Sequence, residues 1–90
     1  MHYLLKIHGF VQGVGYRAFI KGIASEMSVK GYARNMPDGS VEVVAACTPE
    51  KFEMFKNAIS ISVPGGIEVK NIETRKIKET RQYSSFEIIA

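Results

Sequence analysis

Apolar and polar residues alternate at the start of the chain, where Tyr3, Leu5 and Ile7 fall on one side of an extended backbone. This period of two predicts a β-strand over residues 2–9. Between residues 16 and 27 the apolar positions recur every three or four residues instead, which predicts an amphipathic helix. The same two periods predict the remaining elements: a β-hairpin over 32–47 whose first strand is 32–35, a second helix from Thr48 to about residue 60, a strand beginning near Ile67 and Val69, and a short strand around Phe86 and Ile88.

Turn-forming residues mark the boundaries between these elements. The turn of the hairpin is predicted at Pro37-Asp38-Gly39, because proline fixes one φ angle and glycine supplies a positive one. A helix start is predicted at Thr48-Pro49-Glu50, which combines an N-cap residue, a proline in the first turn and an acidic side chain. Ile72 shifts the alternation of the fourth strand and indicates a β-bulge near Asn71. We expect the charged run 76–81 to be an exposed edge.

The predicted order is β-α-β-β-α-β, with a fifth short strand left open. This is the order of a split βαβ unit, so the sequence predicts an α+β fold, the ferredoxin-like split βαβ sandwich, as a single domain over 1–90. Right-handed crossovers place both helices on one face of an antiparallel sheet. We expect this to be the face that carries Tyr3, Leu5 and Ile7. The architecture follows from the pattern, whereas the function does not.

Composition restricts the class of protein and its partners. The 90 residues carry a net charge of +3 and have a pI near 9.1, which suits a phosphorylated or acidic substrate. The basic residues form no long block, so the charge does not indicate a nucleic-acid partner. No apolar run is long enough to span a membrane, and the first residues lack the features of a signal peptide. The single cysteine, Cys47, cannot form an internal disulfide, so we expect a cytoplasmic protein.

Several reaction classes lack their residues in this sequence. His2, His8 and Cys47 show no metal-ligand spacing, and neither a Walker motif nor a recognisable nucleophile triad is present. Gly13-x-Gly15-x-x-Ala18 matches a dinucleotide fingerprint, but the next strand enters a hairpin rather than a parallel βαβ series. An RNA-binding domain of the same topology stacks bases on aromatic side chains of its third strand, and 41–46 contains none. We therefore expect no metal, no cofactor and no nucleic-acid partner, although an RNA-binding module of this topology stays open as an alternative.

The segment between the first strand and the first helix combines glycines with a cation. Gly9, Gly13 and Gly15 permit positive φ angles and a close approach of a ligand, and Arg17 follows directly. A helix start also exposes N–H groups without partners, so the segment predicts an anion-binding cradle. Arg17 in the first turn opposes the helix dipole at a cost of about 0.3–1 kcal/mol, which a bound dianion would offset. These residues alone are equally compatible with a glycine-rich turn that carries a surface arginine.

Two longer motifs contain these residues: Ile7-x-Gly9-x-Val11-Gln12-Gly13-Val14-x-Tyr16-Arg17 and Gly31-Tyr32-Ala33-Arg34-Asn35-x-x-x-Gly39-x-Val41. They resemble the two signatures of the acylphosphatase family, in the expected order and on a chain of the family's usual length. The resemblance covers essentially the whole chain. Two departures are visible. Tyr16 stands where the family usually has phenylalanine, and Cys47 stands where the second signature usually closes with glycine.

The resemblance implies an activity and a set of site residues. The family hydrolyses the carboxyl–phosphate bond of small acyl phosphates without a metal, releasing a carboxylate and inorganic phosphate. By resemblance, Arg17 binds the phosphoryl group and Asn35 orients the attacking water. Backbone N–H groups complete the cradle, namely those of Gln12, Gly13, Val14, Gly15 and Tyr16. Asn35 by itself would be interpreted as a turn residue. We expect a small-molecule substrate, a monomer, and no cofactor or membrane partner.

Two other functions stay open at this point. One is a non-enzymatic ferredoxin-like module that binds an anion or RNA. The other is an acylphosphatase-like domain that handles carbamoyl phosphate for a larger partner. The physiological acyl phosphate is not specified, because the loops that would meet the acyl group carry no distinctive polar residues.

Overall fold

A five-stranded sheet carries two helices in the computed structural model, which describes residues 1–89. The elements are β1 (His2–Phe10), α1 (Tyr16–Met27), β2 (Lys30–Asn35), β3 (Val41–Ala46), α2 (Pro49–Ser60), β4 (Glu68–Ile77) and β5 (Phe86–Ile89). The strand order is β4-β1-β3-β2-β5. This arrangement confirms the ferredoxin-like α+β prediction and adds the fifth strand to it. The single domain over 1–90 stays a prediction, and Ala90 lies outside the described residues.

The sheet is mixed, whereas the sequence predicted an antiparallel one. β4, β1, β3 and β2 pair antiparallel, but β5 pairs parallel to β2. β4 and β5 occupy opposite edges, so the connection 78–85 crosses the end of the sheet. The chain therefore enters β5 in the same direction as β2. Sequence periodicity identified the strand but contained no information about its partner or direction.

The core lies between the helices and the sheet face predicted to be buried. Tyr3, Leu5 and Ile7 are all buried, and the ring of Tyr3 stacks on that of Phe52 with centroids 3.9 Å apart. Their partners across the core are helical side chains spaced three or four residues apart: Ile20 and Ala24 of α1, and Phe52, Phe55 and Ile59 of α2. Burial of this apolar surface is the main force that fixes the helices on the sheet.

Three local features of the strands can be compared with the predictions. β2 begins at Lys30, two residues before the predicted start at residue 32. Within it, Gly31 has a φ of 142°, at which a Cβ would run into the Val44 carbonyl. β4 extends into the charged run as far as Ile77, so only the rest of that run lies outside the strand. The bulge is confirmed, because the register against β1 shifts on passing Lys70. Among residues 1–89, no helix combines the length and apolar character needed to cross a membrane.

Candidate active site

Strand direction brings the predicted site residues to one end of the sheet. β1 and β2 are both antiparallel to β3, and β5 is parallel to β2. The carboxyl ends of these strands, Phe10, Asn35 and Ile89, therefore lie at the same end. The segment 11–15 leaves β1 there and leads into α1. The glycine loop, Arg17 and Asn35 therefore lie at the same end of the sheet, and their assignment to one site stays a prediction.

The loop from Gln12 to Gly15 ends in an uncapped helix start. Gly13 and Gly15 adopt φ angles of 74° and 81°, which favour glycine. Gly15 is the N-cap residue of α1, and within residues 1–89 no side chain caps this start. The Phe19 N–H donates to the Gly15 carbonyl at 3.1 Å. Since helical N–H groups bond four residues back, the N–H groups of residues 16–18 precede this first bond and have no acceptor within α1.

Arg17 lines a pocket beside this loop. Its Nη1 donates to the Ile89 carbonyl oxygen at 3.3 Å, which anchors the guanidinium to the end of β5. The pocket measures about 170 Å³ and is lined by Val11, Gly13, Gly15, Tyr16, Arg17, Ala18 and Ile88. One cation and a turn of backbone amides therefore share a pocket whose other walls are largely apolar.

Asn35 lies on the helix-covered face of the sheet. It pairs with Val41, which in turn pairs with Ile7, and both of these side chains are buried against the helices. Residues directly opposite one another share a face, so the Asn35 side chain points to the same side as the loop. Its Oδ1 is buried and, within the described residues, has no hydrogen-bond partner. A buried amide oxygen left in this state costs about 1–3 kcal/mol, so it is suited to a water or ligand that arrives during function.

The side chain of Gln12 makes two hydrogen bonds that sequence reasoning missed. Its Nε2 donates to the carbonyl oxygens of Met36 and Ser40, each at 2.8 Å. The turn that carries these carbonyls is itself braced, because Asp38 accepts hydrogen bonds from the Ser40 N–H and hydroxyl at 3.0 and 2.6 Å. The ammonium of Lys6, 2.8 Å from the same carboxylate, and these Ser40 bonds hold the pKa of Asp38 well below its usual range.

Tyr16 connects the start of α1 to the end of α2. Its side chain is buried, and its hydroxyl donates to the Ile59 carbonyl oxygen at 2.6 Å. Burial raises the pKa of Tyr16 well above its ordinary range, so the hydroxyl keeps its proton at neutral pH and donates. This bond explains how the hydroxyl is accommodated where the resembling family usually has phenylalanine.

Two further residues differ in their relation to the site. Ile88 lines the pocket from β5 although the sequence analysis gave it no role, because the parallel partner of that strand was not predictable. Cys47 follows β3 at the opposite end of the sheet, where it packs half-buried against the core. Burial raises the pKa of its thiol. In residues 1–89 no group of three potential metal-ligating side chains occurs.

The strand order and the two helices define the protein as a ferredoxin-like α+β fold, with a glycine loop and Arg17 between β1 and the body of α1. The family model for acylphosphatase matches residues 3–88. An acylphosphatase of Methanospirillum hungatei is 40% identical over 82 residues, which cover 91% of this chain and 89% of that protein. The chain therefore belongs to the acylphosphatase family of hydrolases.

Solved structures show the same similarity. The crystal structure of an acylphosphatase from Bacillus subtilis aligns with a TM-score of 0.90 at 27% identity, covering 99% of this chain and 98% of that one. HypF from T. kodakarensis aligns with a TM-score of 0.89 at 28% identity. That match covers 100% of this chain but 12% of HypF, so a unit of this fold also occurs within a much longer protein.

Proposed function

We propose that this protein hydrolyses the carboxyl–phosphate bond of small acyl phosphates without a metal ion, releasing a carboxylate and inorganic phosphate. The observation that carries the proposal is the uncapped start of α1 beside Arg17, in a chain that belongs to the acylphosphatase family. An unpaired row of N–H groups and a guanidinium in one pocket match the oxygens of a phosphoryl group.

Arg17 and the loop amides bind the phosphoryl group in this mechanism. The guanidinium is planar and permanently charged, so it holds two phosphoryl oxygens at once, whereas lysine offers only a point charge. The N–H groups of residues 12–16 supply further donors that are fixed by the backbone. Phosphoryl transfer passes through a loose transition state, in which positioning and charge stabilisation do most of the work.

Asn35 orients the water that attacks phosphorus. Its amide cannot act as a base at neutral pH, but its carbonyl oxygen accepts a hydrogen bond from the water O–H while its NH₂ group donates a hydrogen bond. The buried, unpartnered Oδ1 provides this acceptor on the face of the sheet that the loop shares. Fixing the water in line with the breaking bond lowers the entropic part of the barrier.

The leaving group removes the need for a general acid. A carboxylate departs readily because the pKa of its parent acid is about 4.

The proposed mechanism also uses no metal ion, so turnover should be unchanged in EDTA. A loss of activity that added divalent metal restores would contradict metal-independent hydrolysis.

The principal test is replacement of Arg17. Arg17→Ala should lower kcat/KM for an aromatic acyl phosphate by about 10³-fold, and Arg17→Lys should recover little of it because the bidentate fork is lost. Arg75→Ala on the exposed face of β4 removes the same charge and is the matched control. If folded Arg17→Ala retains turnover near that of the control, the assignment is wrong.

Replacement of Asn35 tests the division of labour. Asn35→Ala should lower kcat by about 10²-fold through the misplaced water, while the inhibition constant of inorganic phosphate stays nearly constant. The control is Asn57→Ala, an exposed asparagine of α2. Equal losses in turnover and in phosphate affinity would contradict the role assigned to Asn35.

One alternative is a domain that handles carbamoyl phosphate for a larger partner, and the match to HypF shows that a unit of this fold can form part of a longer protein. In that case the isolated chain would hydrolyse carbamoyl phosphate in preference to other acyl phosphates. We propose instead that the chain acts alone as a monomer, with turnover independent of any partner.

A filter-binding assay with single-stranded RNA, run beside the hydrolysis assay, tests the other alternative, a non-enzymatic module that binds RNA.

A further inference from the structure

The side chain of Gln12 joins the two halves of the site. We call its two hydrogen bonds, from Nε2 to the carbonyl oxygens of Met36 and Ser40, the Gln12 bridge. Both acceptors are carbonyls, so the amide must present its NH₂ group to them, and both of its protons are used. The side chain is half-buried, which reduces competition from water.

Each end of the bridge is adjacent to a group of the proposed mechanism. On one side, Gln12 is the first residue of the loop whose amides are proposed to bind the phosphoryl group. On the other side, Met36 directly follows Asn35. The Ser40 carbonyl that accepts from Gln12 also accepts from the Met36 N–H at 2.9 Å, so the bridge lies on the bond that closes the turn. The bridge therefore sets the distance between the loop and the end of β2, and its loss would let the loop move relative to Asn35.

The loop needs such an external support because its own residues provide little. Gly13 and Gly15 have no side chains, and a Cβ placed on either would meet no atom within 4 Å. Glycine also has the largest backbone freedom of any residue. The turn at the other end of the bridge is rigid by comparison, since Asp38 binds Ser40 through two hydrogen bonds and Lys6 through an ion pair.

We propose that Gln12 is a positioning residue whose side chain fixes the phosphate-binding loop relative to Asn35, so that the bound phosphoryl group and the oriented water meet in line. This inference rests on the proposed function and assigns to the Gln12 side chain a task separate from that of its backbone N–H. Its effect acts on kcat, because it concerns the alignment of two bound groups rather than the affinity of either one.

The test uses Gln12→Met, which keeps the length of the side chain but has no donor, and Gln12→Glu, which presents acceptors to the two carbonyls. Gln12→Met should lower kcat by about tenfold with KM and phosphate inhibition nearly unchanged, and Gln12→Glu should lower kcat further. Gln82→Met makes the same substitution at an exposed position and should leave both constants at the wild-type values. Unchanged kcat in both Gln12 variants would overturn the inference.

A double-mutant cycle separates positioning from general damage to the fold. In an Asn35→Ala background the water is already misplaced, so Gln12→Met should cost less than about twofold in kcat. A merely structural role would give the same fold loss in both backgrounds. Additive losses would therefore contradict coupling between Gln12 and Asn35.

Titration with inorganic phosphate, followed by amide NMR, keeps this inference distinct from the proposed function. In the wild type, phosphate should shift both the loop amide signals and the Asn35 side-chain amide signals. In Gln12→Met, phosphate should shift the loop amide signals and leave the Asn35 signals unchanged. A coupled response without acyl phosphate turnover would refute the function and support the bridge. Turnover with a response unchanged by Gln12→Met would refute the bridge and leave the function standing. A wild type with neither turnover nor a coupled response would refute both.

Discussion

The two helices of this protein begin in opposite ways. α2 starts with Thr48, whose hydroxyl accepts from the Lys51 N–H at 3.3 Å, followed by Pro49 and the acidic Glu50. α1 starts from Gly15 at φ 81°, and within the described residues it has no side-chain cap. Its first turn holds Arg17 in place of an acid. The start of α2 thus combines a side-chain cap, a proline and an acid, and within the described residues the start of α1 has none of these three.

This difference separates a helix start that serves stability from the one that we propose binds a ligand. Capping groups and acids at a helix start satisfy the unpaired N–H groups and the positive end of the dipole. Where they are missing, the same N–H groups and positive potential remain for an anion. The local departure from stabilising rules in α1 is therefore expected at a functional site and has no counterpart in α2.

Among substitutions that make one helix start resemble the other, the largest effect should come from giving α1 the acid that α2 has. Ala18 is exposed in the first turn of α1 and lines the pocket, so Ala18→Glu places a carboxylate where the dianion is proposed to bind. We expect KM for acyl phosphates to rise about tenfold, because like charges at this range repel by more than 1 kcal/mol. Stability should stay the same or increase by a few tenths of a kcal/mol, since the acid favours the helix dipole.

The control for this substitution is Ala18→Gln, which has the same shape without the charge. Its KM should stay within about twofold of the wild type, and added salt should shrink the difference between the two variants. A KM for Ala18→Glu no higher than that for Ala18→Gln would show that the start of α1 does not receive an anion.

The local sequence pattern was sufficient to predict where most of the proposed site residues lie relative to the strands and helices. The change from a period of two to a period of 3.6 placed the glycine loop and Arg17 between β1 and α1, and Asn35 at the end of β2. The contributions of β5 were not predictable, because the pairing of β5 with β2 depends on the path of a connection across the sheet. The Gln12 bridge was missed for a similar reason. Its acceptors, Met36 and Ser40, lie far along the chain and are backbone carbonyls, which carry no residue-specific signal.

Removal of the Tyr16 hydroxyl should have the next largest effect, on stability rather than on turnover. Tyr16 supports the uncapped α1 start from outside, through its buried bond to the Ile59 carbonyl of α2. Tyr16→Phe should lower the free energy of unfolding by about 1 kcal/mol at neutral pH, the usual net value of such a bond. Urea unfolding and steady-state kinetics of the same preparation check this. If the loss of kcat/KM, converted to a free energy, exceeded the loss in the free energy of unfolding, the hydroxyl would take part in the reaction.

The same variant should change the response to alkaline pH. Because burial raises the pKa of Tyr16 in the folded protein, the phenol ionises first in the unfolded chain. The buried, protonated hydroxyl of Tyr16 therefore contributes fully to the free energy of unfolding below about pH 10, and this contribution is lost as the pH rises above that value. Tyr16→Phe should show a shallower fall in stability from neutral to alkaline pH. Part of the fall should remain in the variant, because burial and Glu42 also raise the pKa of Tyr32, to about 12.

The smallest effect should come from uncapping α2, which makes its start resemble that of α1. Thr48→Ala should lower the free energy of unfolding by about 0.5 kcal/mol, the low end for a cap, because the bond to Lys51 is exposed and 3.3 Å long. Turnover and phosphate inhibition should stay at the wild-type values, since α2 presents no arginine and no glycine loop to an anion. Chemical denaturation and acyl phosphate hydrolysis of the same preparation measure both quantities. If phosphate stabilised Thr48→Ala more than the wild type, a vacant helix start alone would attract the anion, and the contrast between the two helices would not depend on Arg17.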